Sequence, residues 1–131
     1  MKLQLVNEQG MRLLEGAPNA PLLSSPYDID RIIEACFADH IEAVLLYTAN
    51  LTPTFFDLSS GDAGVVLQKL QNYRIRLAIV APREHVRFSR RFSEMLADNQ
   101  QGIMFGVFED RSAAALWLVV QHNAASASRS A

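Results

Sequence analysis

The residues best suited to chemistry lie in one segment, Asn50–Gly64, which combines carboxylates, hydroxyls and glycines. Asp57 and Asp62 flank two adjacent serines, Ser59 and Ser60. A helix is expected to begin just after them, and the free N–H groups of a helix start suit a phosphate or a carboxylate. The two carboxylates would repel a free anion, so they are better suited to binding a cation or orienting a serine hydroxyl.

The same residues also have a purely structural interpretation. Serine and aspartate are the usual residues at helix starts, so Ser60 is expected to cap the helix that follows. Phosphorylation of Ser60 would add about two negative charges near the positive end of the helix dipole. We therefore take Ser60 as the switch candidate, with Asp57, Ser59 and Asp62 shaping its surroundings.

Arginines are concentrated in the second half of the chain. Six of the twelve basic residues fall in this stretch: Arg74, Arg76, Arg83, Arg87, Arg90 and Arg91. Guanidinium groups bind phosphate through two hydrogen bonds, which raises the hypothesis of a nucleic-acid contact. The last three, however, lie opposite the Phe88 and Phe92 face of a predicted helix, where a solvated surface is expected. No aromatic residues alternate with them to stack on bases. Nucleic-acid binding is therefore the lowest-ranked hypothesis.

No cofactor, metal site or catalytic motif is predicted. The histidines, His40, His85 and His122, are scattered and lack a helical metal-ligand spacing. Cys36 is the single cysteine, so neither an intramolecular disulfide nor a two-cysteine zinc site can form. The sequence contains no nucleophile elbow, P-loop or dinucleotide fingerprint. The chain is therefore not predicted to be an enzyme, and catalysis stays open only through a pocket at the 51–64 loop.

The order of the predicted elements is β-β-α-β-α-β-α-β-α. Such alternation predicts an α/β fold with a mixed, mostly parallel five-stranded sheet, crossover helices and an antiparallel edge from the opening hairpin. Ala43–Tyr47 and Arg76–Val80 are compact apolar runs typical of buried strands. The 51–64 loop follows the first of these and so lies at the carboxyl edge of the sheet, where open α/β folds bind their ligands.

Length and composition indicate one ordinary globular domain. The chain has 131 residues, of which 50% are apolar and 20% charged. We expect a single domain over 1–122 and a disordered tail, rich in alanine and serine, over 123–131. The net charge of −2 gives no overall attraction to nucleic acid or to an acidic membrane. Met1–Val6 does not resemble a signal peptide, and Ala113–Val120 is too short to cross a bilayer, so we expect a cytoplasmic protein with no membrane association.

A specific pattern extends from the 51–64 loop to the strand that follows the next helix, and its residues are Leu51–Leu58, Gly61, Ala63–Gly64, Leu67–Lys69, Asn72–Arg74 and Leu77–Val80. This pattern resembles a bacterial family of unknown function, DUF4180. The agreement is best over residues 44–80. Before its last strand the family tends to have a carboxylate-serine-asparagine-basic-glycine run, whereas Asp98-Asn-Gln-Gln-Gly102 stands at that place here. The resemblance implies a shared fold but no particular activity.

A more distant resemblance is to STAS domains, the anti-sigma-factor-antagonist fold. STAS domains share the predicted element order and carry an Asp-Ser-Ser-Gly loop before their second helix. The loop here is Asp57-Leu-Ser-Ser-Gly61, with Leu58 inserted. In regulatory STAS domains a partner kinase phosphorylates the serine just before the glycine, so the resemblance implies this role for Ser60.

These observations predict a STAS-like regulatory or protein-interaction module that presents its 51–64 loop to a protein partner. The alternative is a small-ligand-binding domain or enzyme, with Phe55, Phe56 and Tyr73 walling a pocket at the same loop. An exposed apolar patch beside Ser60 would favour the first hypothesis, and a concave pocket lined by Asp57 or Ser60 the second. A homodimer is also plausible, because small α/β domains often leave a sheet edge or a helix face available.

Overall fold

The computed structural model describes residues 3–82, 84, 87–98 and 104–130. The strands in these residues are β1 (Leu3–Glu8), β2 (Met11–Gly16), β3 (Ala43–Tyr47), β4 (Arg76–Val80) and β5 (Phe105–Phe108). The α-helices are α1 (Ile29–Asp39), α2 (Asp62–Asn72), α3 (Arg90–Asp98) and α4 (Arg111–Ser130). Arg83, His85 and residues 99–102, which the sequence analysis singled out, lie outside the described residues.

The strands form one sheet in the order β1-β2-β3-β4-β5. β1 pairs with β2 in the antiparallel direction, and the other three pairs are parallel. The predicted α/β class and mixed, mostly parallel five-stranded sheet are therefore confirmed. β1 and β2 are joined by Gln9 and Gly10, both with positive φ (50° and 86°), as a two-residue hairpin turn requires.

Each face of the sheet is covered by different helices. Side chains alternate between the two faces along a strand, so neighbouring strand residues enter different cores. The first core joins β2–β4 to α1, α2 and α3, and includes Val44, Leu46, Leu77, Ile79, Ile32, Val66 and Phe92. The second joins the same strands to α4 and includes Leu13, Leu45, Ala78, Ala114 and Leu118. Cys36 is buried in the first core, and burial raises the pKa of its thiol to about 12.

The last helix is longer than the sequence analysis predicted. Asp110 caps it, because its Oδ1 accepts a hydrogen bond of 2.8 Å from the N–H of Ala113. The helix then continues to Ser130, so residues 123–130 are helical rather than disordered. Alanine has the highest helix propensity, and this segment extends a helix already fixed by packing on the sheet. No helix among the described residues is both long enough and apolar enough to cross a membrane.

Candidate functional site

The predicted site loop connects β3 to α2 at the carboxyl edge of the sheet. A second segment, residues 87–89 after β4, packs against it. Ser89 joins the two segments: its N–H donates to the carbonyl of Phe56 at 3.0 Å. Its Oγ accepts hydrogen bonds of 3.1 Å from the N–H groups of Leu58 and Phe92. The two carboxyl-edge loops are thus held together by hydrogen bonds to one serine.

A cleft of about 480 Å³ opens between these two segments. Its apolar lining includes Phe56 and Phe88, whose ring centroids lie 5.1 Å apart. Its charged lining residues are Asp57 and Arg87, one of each sign. The volume lies within the range of about 300–1,000 Å³ that is typical of small-molecule sites.

The side chains around the serine pair form hydrogen bonds within their own loop. Asp57 Oδ1 accepts from both the N–H and the hydroxyl of Ser59, at 3.1 and 2.7 Å. The hydroxyl of Ser60 donates to the carbonyl of Thr54 at 2.9 Å and accepts from the N–H of Asp62 at 3.2 Å. Asp57, Ser59 and Ser60 are exposed. They are therefore accessible, although their polar groups already have local partners.

The two carboxylates of the loop have different partners. Asp62 Oδ2 accepts hydrogen bonds from the hydroxyls of Thr52 and Thr54, at 2.7 and 2.6 Å, whereas Asp57 is bonded to Ser59. Asp62 begins α2, where a negative charge is stabilised by the helix dipole. Within the described residues there is no group of three or more His, Cys, Asp or Glu side chains that could hold a metal ion.

The three aromatic residues predicted to wall a pocket do not line a common pocket in the structure. Phe55 is fully buried in the core beside Phe92, and only Phe56 lines the cleft. Tyr73 follows the end of α2, half exposed, with its ring edge-on to Phe37 at 5.2 Å. Because α2 runs from the carboxyl edge back to the amino edge, its two ends lie at opposite sides of the sheet. The prediction that Phe55 and Tyr73 wall the pocket at this loop is therefore wrong, and Phe56 is the member of the three that lines it.

Asn50 holds the carboxyl-edge loops in place, a role that the sequence analysis did not assign. It is 1% exposed and follows β3 by three residues. Its Oδ1 accepts from the N–H of Tyr47 at 2.7 Å, and its Nδ2 donates to the carbonyls of Ala17 and Ala20, both at 2.8 Å. One amide side chain therefore ties the loop after β2 to the loop after β3. A polar residue close behind a buried strand was the signal that could have identified it.

A network of charged side chains lies on the α4 side of the sheet. Arg111 Nη2 is 2.9 Å from Glu15 Oε1 and 2.7 Å from Glu8 Oε1, and the hydroxyl of Tyr47 donates to Glu15 at 2.5 Å. Burial acts to raise the pKa of Glu15, but the hydrogen bonds from Arg111 and Tyr47 outweigh it and lower that pKa overall. Burial, together with the bond to Glu15, raises the pKa of Tyr47 to about 12. Hydrogen bonds to the two glutamates raise the pKa of Arg111.

The family relationship follows from a family model. A model described as a domain of unknown function, DUF4180, matches residues 8–118. The chain belongs to the DUF4180 family. The match runs from the last residue of β1 into α4, so the DUF4180 domain includes the cleft and the hydrogen bonds of Asn50. No curated protein and no solved structure is significantly similar to the chain.

Of the six arginines concentrated in the second half of the chain, the five that the structure describes do not form one continuous patch. Arg76 begins β4 and is 7% exposed, and Arg74 precedes it at the amino edge of the sheet. Arg87, Arg90 and Arg91 follow the carboxyl end of β4 and are exposed. The described members of this group are therefore divided between the two edges of the sheet.

Proposed function

We propose that this DUF4180 domain is a small-ligand-binding module whose ligand occupies the carboxyl-edge cleft. The observation that carries the proposal is the cleft of about 480 Å³, which combines the rings of Phe56 and Phe88 with the charges of Asp57 and Arg87. Apolar walls with a few polar groups are typical of small-molecule sites. The position also fits, because parallel sheets bind ligands at the carboxyl ends of their strands.

The charges of the cleft favour an anionic ligand with an apolar body. Asp57 is already bonded to Ser59, whereas Arg87 makes no hydrogen bond or ion pair with any residue that the structure describes. A guanidinium group binds carboxylates and phosphates through a planar pair of donors. The two phenylalanine rings supply the surface for an apolar or aromatic group. The ligand class is therefore a small apolar or aromatic acid.

We favour a ligand over a protein partner because the exposed apolar residues lie elsewhere. The large hydrophobic side chains that are exposed among the described residues are Leu5, Tyr27, Phe37, Tyr73, Leu116 and Val120. None of them belongs to the 51–64 loop. The apolar patch that a protein-docking surface beside Ser60 requires is thus not found in the described residues of this loop, whereas a concave cleft lined by Asp57 is.

Binding of anilinonaphthalene sulfonate, an aromatic anion, tests the cleft. We expect saturable fluorescence enhancement, and Arg87→Gln should weaken the affinity about fivefold, because it removes one solvent-exposed charge-assisted contact worth about 1 kcal/mol. Arg90→Gln is the matched control, since Arg90 is exposed, pairs with Glu94 and does not line the cleft. Equal weakening by both variants, or a dye signal that does not saturate, would contradict the proposal.

A second candidate function is a STAS-like regulatory module controlled by phosphorylation of Ser60. The observation that supports it is the exposed hydroxyl of Ser60. This hydroxyl donates a hydrogen bond to the carbonyl of Thr54 and accepts one from the N–H of Asp62. A phosphoryl group would remove the hydroxyl donor to Thr54. It would also place about two negative charges close to Asp62, which repels them. Phosphorylation would therefore change the conformation of the loop and the surface that a partner protein would contact.

Phosphopeptide mapping of the protein purified from its own host tests this second candidate. We expect phosphate on part of the Ser60 population, and a protein that co-purifies with the unmodified form, so that it is lost with Ser60→Asp but kept with Ser59→Asp. The two serines are adjacent and exposed, so the second variant controls for added charge alone. An unmodified Ser60 together with equal partner recovery from both variants would exclude the switch.

A further inference from the structure

A second cavity, of about 230 Å³, lies at the amino edge of the sheet, opposite the cleft. Five segments form it: the hairpin turn with the start of β2, the end of α1, the start of β3, the start of β4, and α4. Its charged and titratable lining residues are Arg12, His40, Glu42, Arg76 and His122. No motif in the sequence connects these residues, because they come together only in the folded chain.

The lining of this amino-edge pocket has more arginine than acidic side chains, although the whole chain carries a net charge of −2. Two guanidinium groups and two imidazoles accompany a single carboxylate, that of Glu42. Arg76 is 7% exposed and lies at the first position of β4, between a core of apolar side chains and the cavity. A guanidinium group stays charged at any ordinary pH, so Arg76 brings a fixed positive charge to the cavity that the Glu42 carboxylate also lines.

We propose that the amino-edge pocket binds a phosphate group. Arg12, whose Nη2 also donates to the carbonyl of Asp39, and Arg76 bring guanidinium groups of the kind that binds phosphate oxygens, and His40 and His122 add imidazole groups. A cavity of about 230 Å³ has room for a phosphate group with only a small attached body, unlike the larger cleft. The site is separate from the proposed function, because its lining shares no residue with that of the cleft.

The backbone at His40 supplies a second observation. His40 has φ 56° and ψ 48°, in the left-handed region that favours glycine. The N–H of Ile41 donates to the carbonyl of Cys36 at 2.8 Å, which is the usual bond of a helix that ends this way. α2 ends in the same manner, with Arg74 at φ 57°. Of these two strained positions, only His40 lines the cavity.

Calorimetric titration with inorganic phosphate at constant ionic strength tests the pocket. Arg12→Gln and His122→Gln should each weaken phosphate binding about tenfold, the loss typical of one charge-assisted hydrogen bond. Arg87→Gln, which changes the cleft, should leave the phosphate affinity unchanged. Absence of saturable binding overturns the proposal. Loss of binding in Arg87→Gln also overturns it, since phosphate would then occupy the cleft.

Glycine variants at the two helix ends with positive φ distinguish an effect on phosphate binding from an effect on stability. His40→Gly and Arg74→Gly should both raise the melting temperature, because glycine adopts a positive φ without strain. Only His40→Gly should also weaken phosphate binding, whereas Arg74→Gly removes a positive charge outside the pocket and should not. If both variants bind phosphate as tightly as the wild type while Arg12→Gln also does, the proposal is wrong.

Discussion

Asn50→Ala is expected to lower the free energy of unfolding by about 3 kcal/mol, because it leaves three backbone groups without their hydrogen-bond partner. These groups are the N–H of Tyr47 and the carbonyls of Ala17 and Ala20. Alanine cannot replace either the acceptor or the two donors of the amide. Urea denaturation measures the loss, and an unchanged midpoint and slope would show that the loops do not depend on this side chain.

Gly16 provides the control for this prediction. A Cβ atom at Gly16 would lie 2.3 Å from Asn50 Oδ1, so Gly16→Ala must displace the amide. We expect Gly16→Ala to destabilise the protein by about 1–3 kcal/mol in the wild-type background. Most of this penalty should disappear in the Asn50→Ala background, because the colliding atom is gone. Additive losses in the double-mutant cycle would show that the two residues act independently.

Arg111→Met is expected to destabilise the protein by about 2 kcal/mol, because it leaves the carboxylates of Glu8 and Glu15 without a counter-ion. The figure is lower than for a fully buried pair, since 38% of the Arg111 side chain is exposed. Lys69→Met is the matched control: it breaks a more exposed pair with Asp30 and should change the stability by less than about 1 kcal/mol. Equal losses from the two variants in thermal denaturation would contradict the prediction.

Because the pKa of Glu15 is lowered, the stability that this network contributes should increase with pH. The unfolded chain binds a proton at Glu15 near the ordinary value of 4.5, whereas the folded protein keeps the carboxylate charged to lower pH. The resulting stabilisation is complete above that value and is lost as the pH falls through the folded pKa. The difference in unfolding free energy between wild type and Glu15→Gln should therefore be larger at about pH 7 than at about pH 3. Equal differences at the two pH values would argue against this role.

Local patterns in the sequence were sufficient for most of the fold. The strands Ala43–Tyr47 and Arg76–Val80 are apolar on both faces, and their predicted limits agree with the structure. Alternation of strands and helices was sufficient to predict the mixed sheet and the position of the 51–64 loop at its carboxyl edge. The small and polar residues from Asn123 onward indicate disorder by composition, whereas the helix propensity of alanine favours the continuous helix that the structure shows.

The cleft could not be predicted from local patterns, because its two walls come from different loops. Phe55 and Phe56 are neighbours of identical type, and only the path of the folded chain buries the first and exposes the second to the cleft. Arg87 was assigned to a solvated helix face, whereas it precedes α3 and faces the 51–64 loop. Tyr73 follows α2, which runs from the carboxyl edge to the amino edge of the sheet, so Tyr73 lies away from the cleft.

The order of the strands bears on how the chain folds during synthesis. Because the strands pair in chain order, each new strand adds to the one made just before it. The crossover helices cover one face of the sheet as it grows. Among the residues that the structure describes, the helix that covers the opposite face, which includes Leu13, Leu45 and Ala78, is α4, and α4 follows all five strands. A nascent chain on the ribosome therefore keeps this apolar face open until α4 emerges, and that interval is when it is most exposed to aggregation.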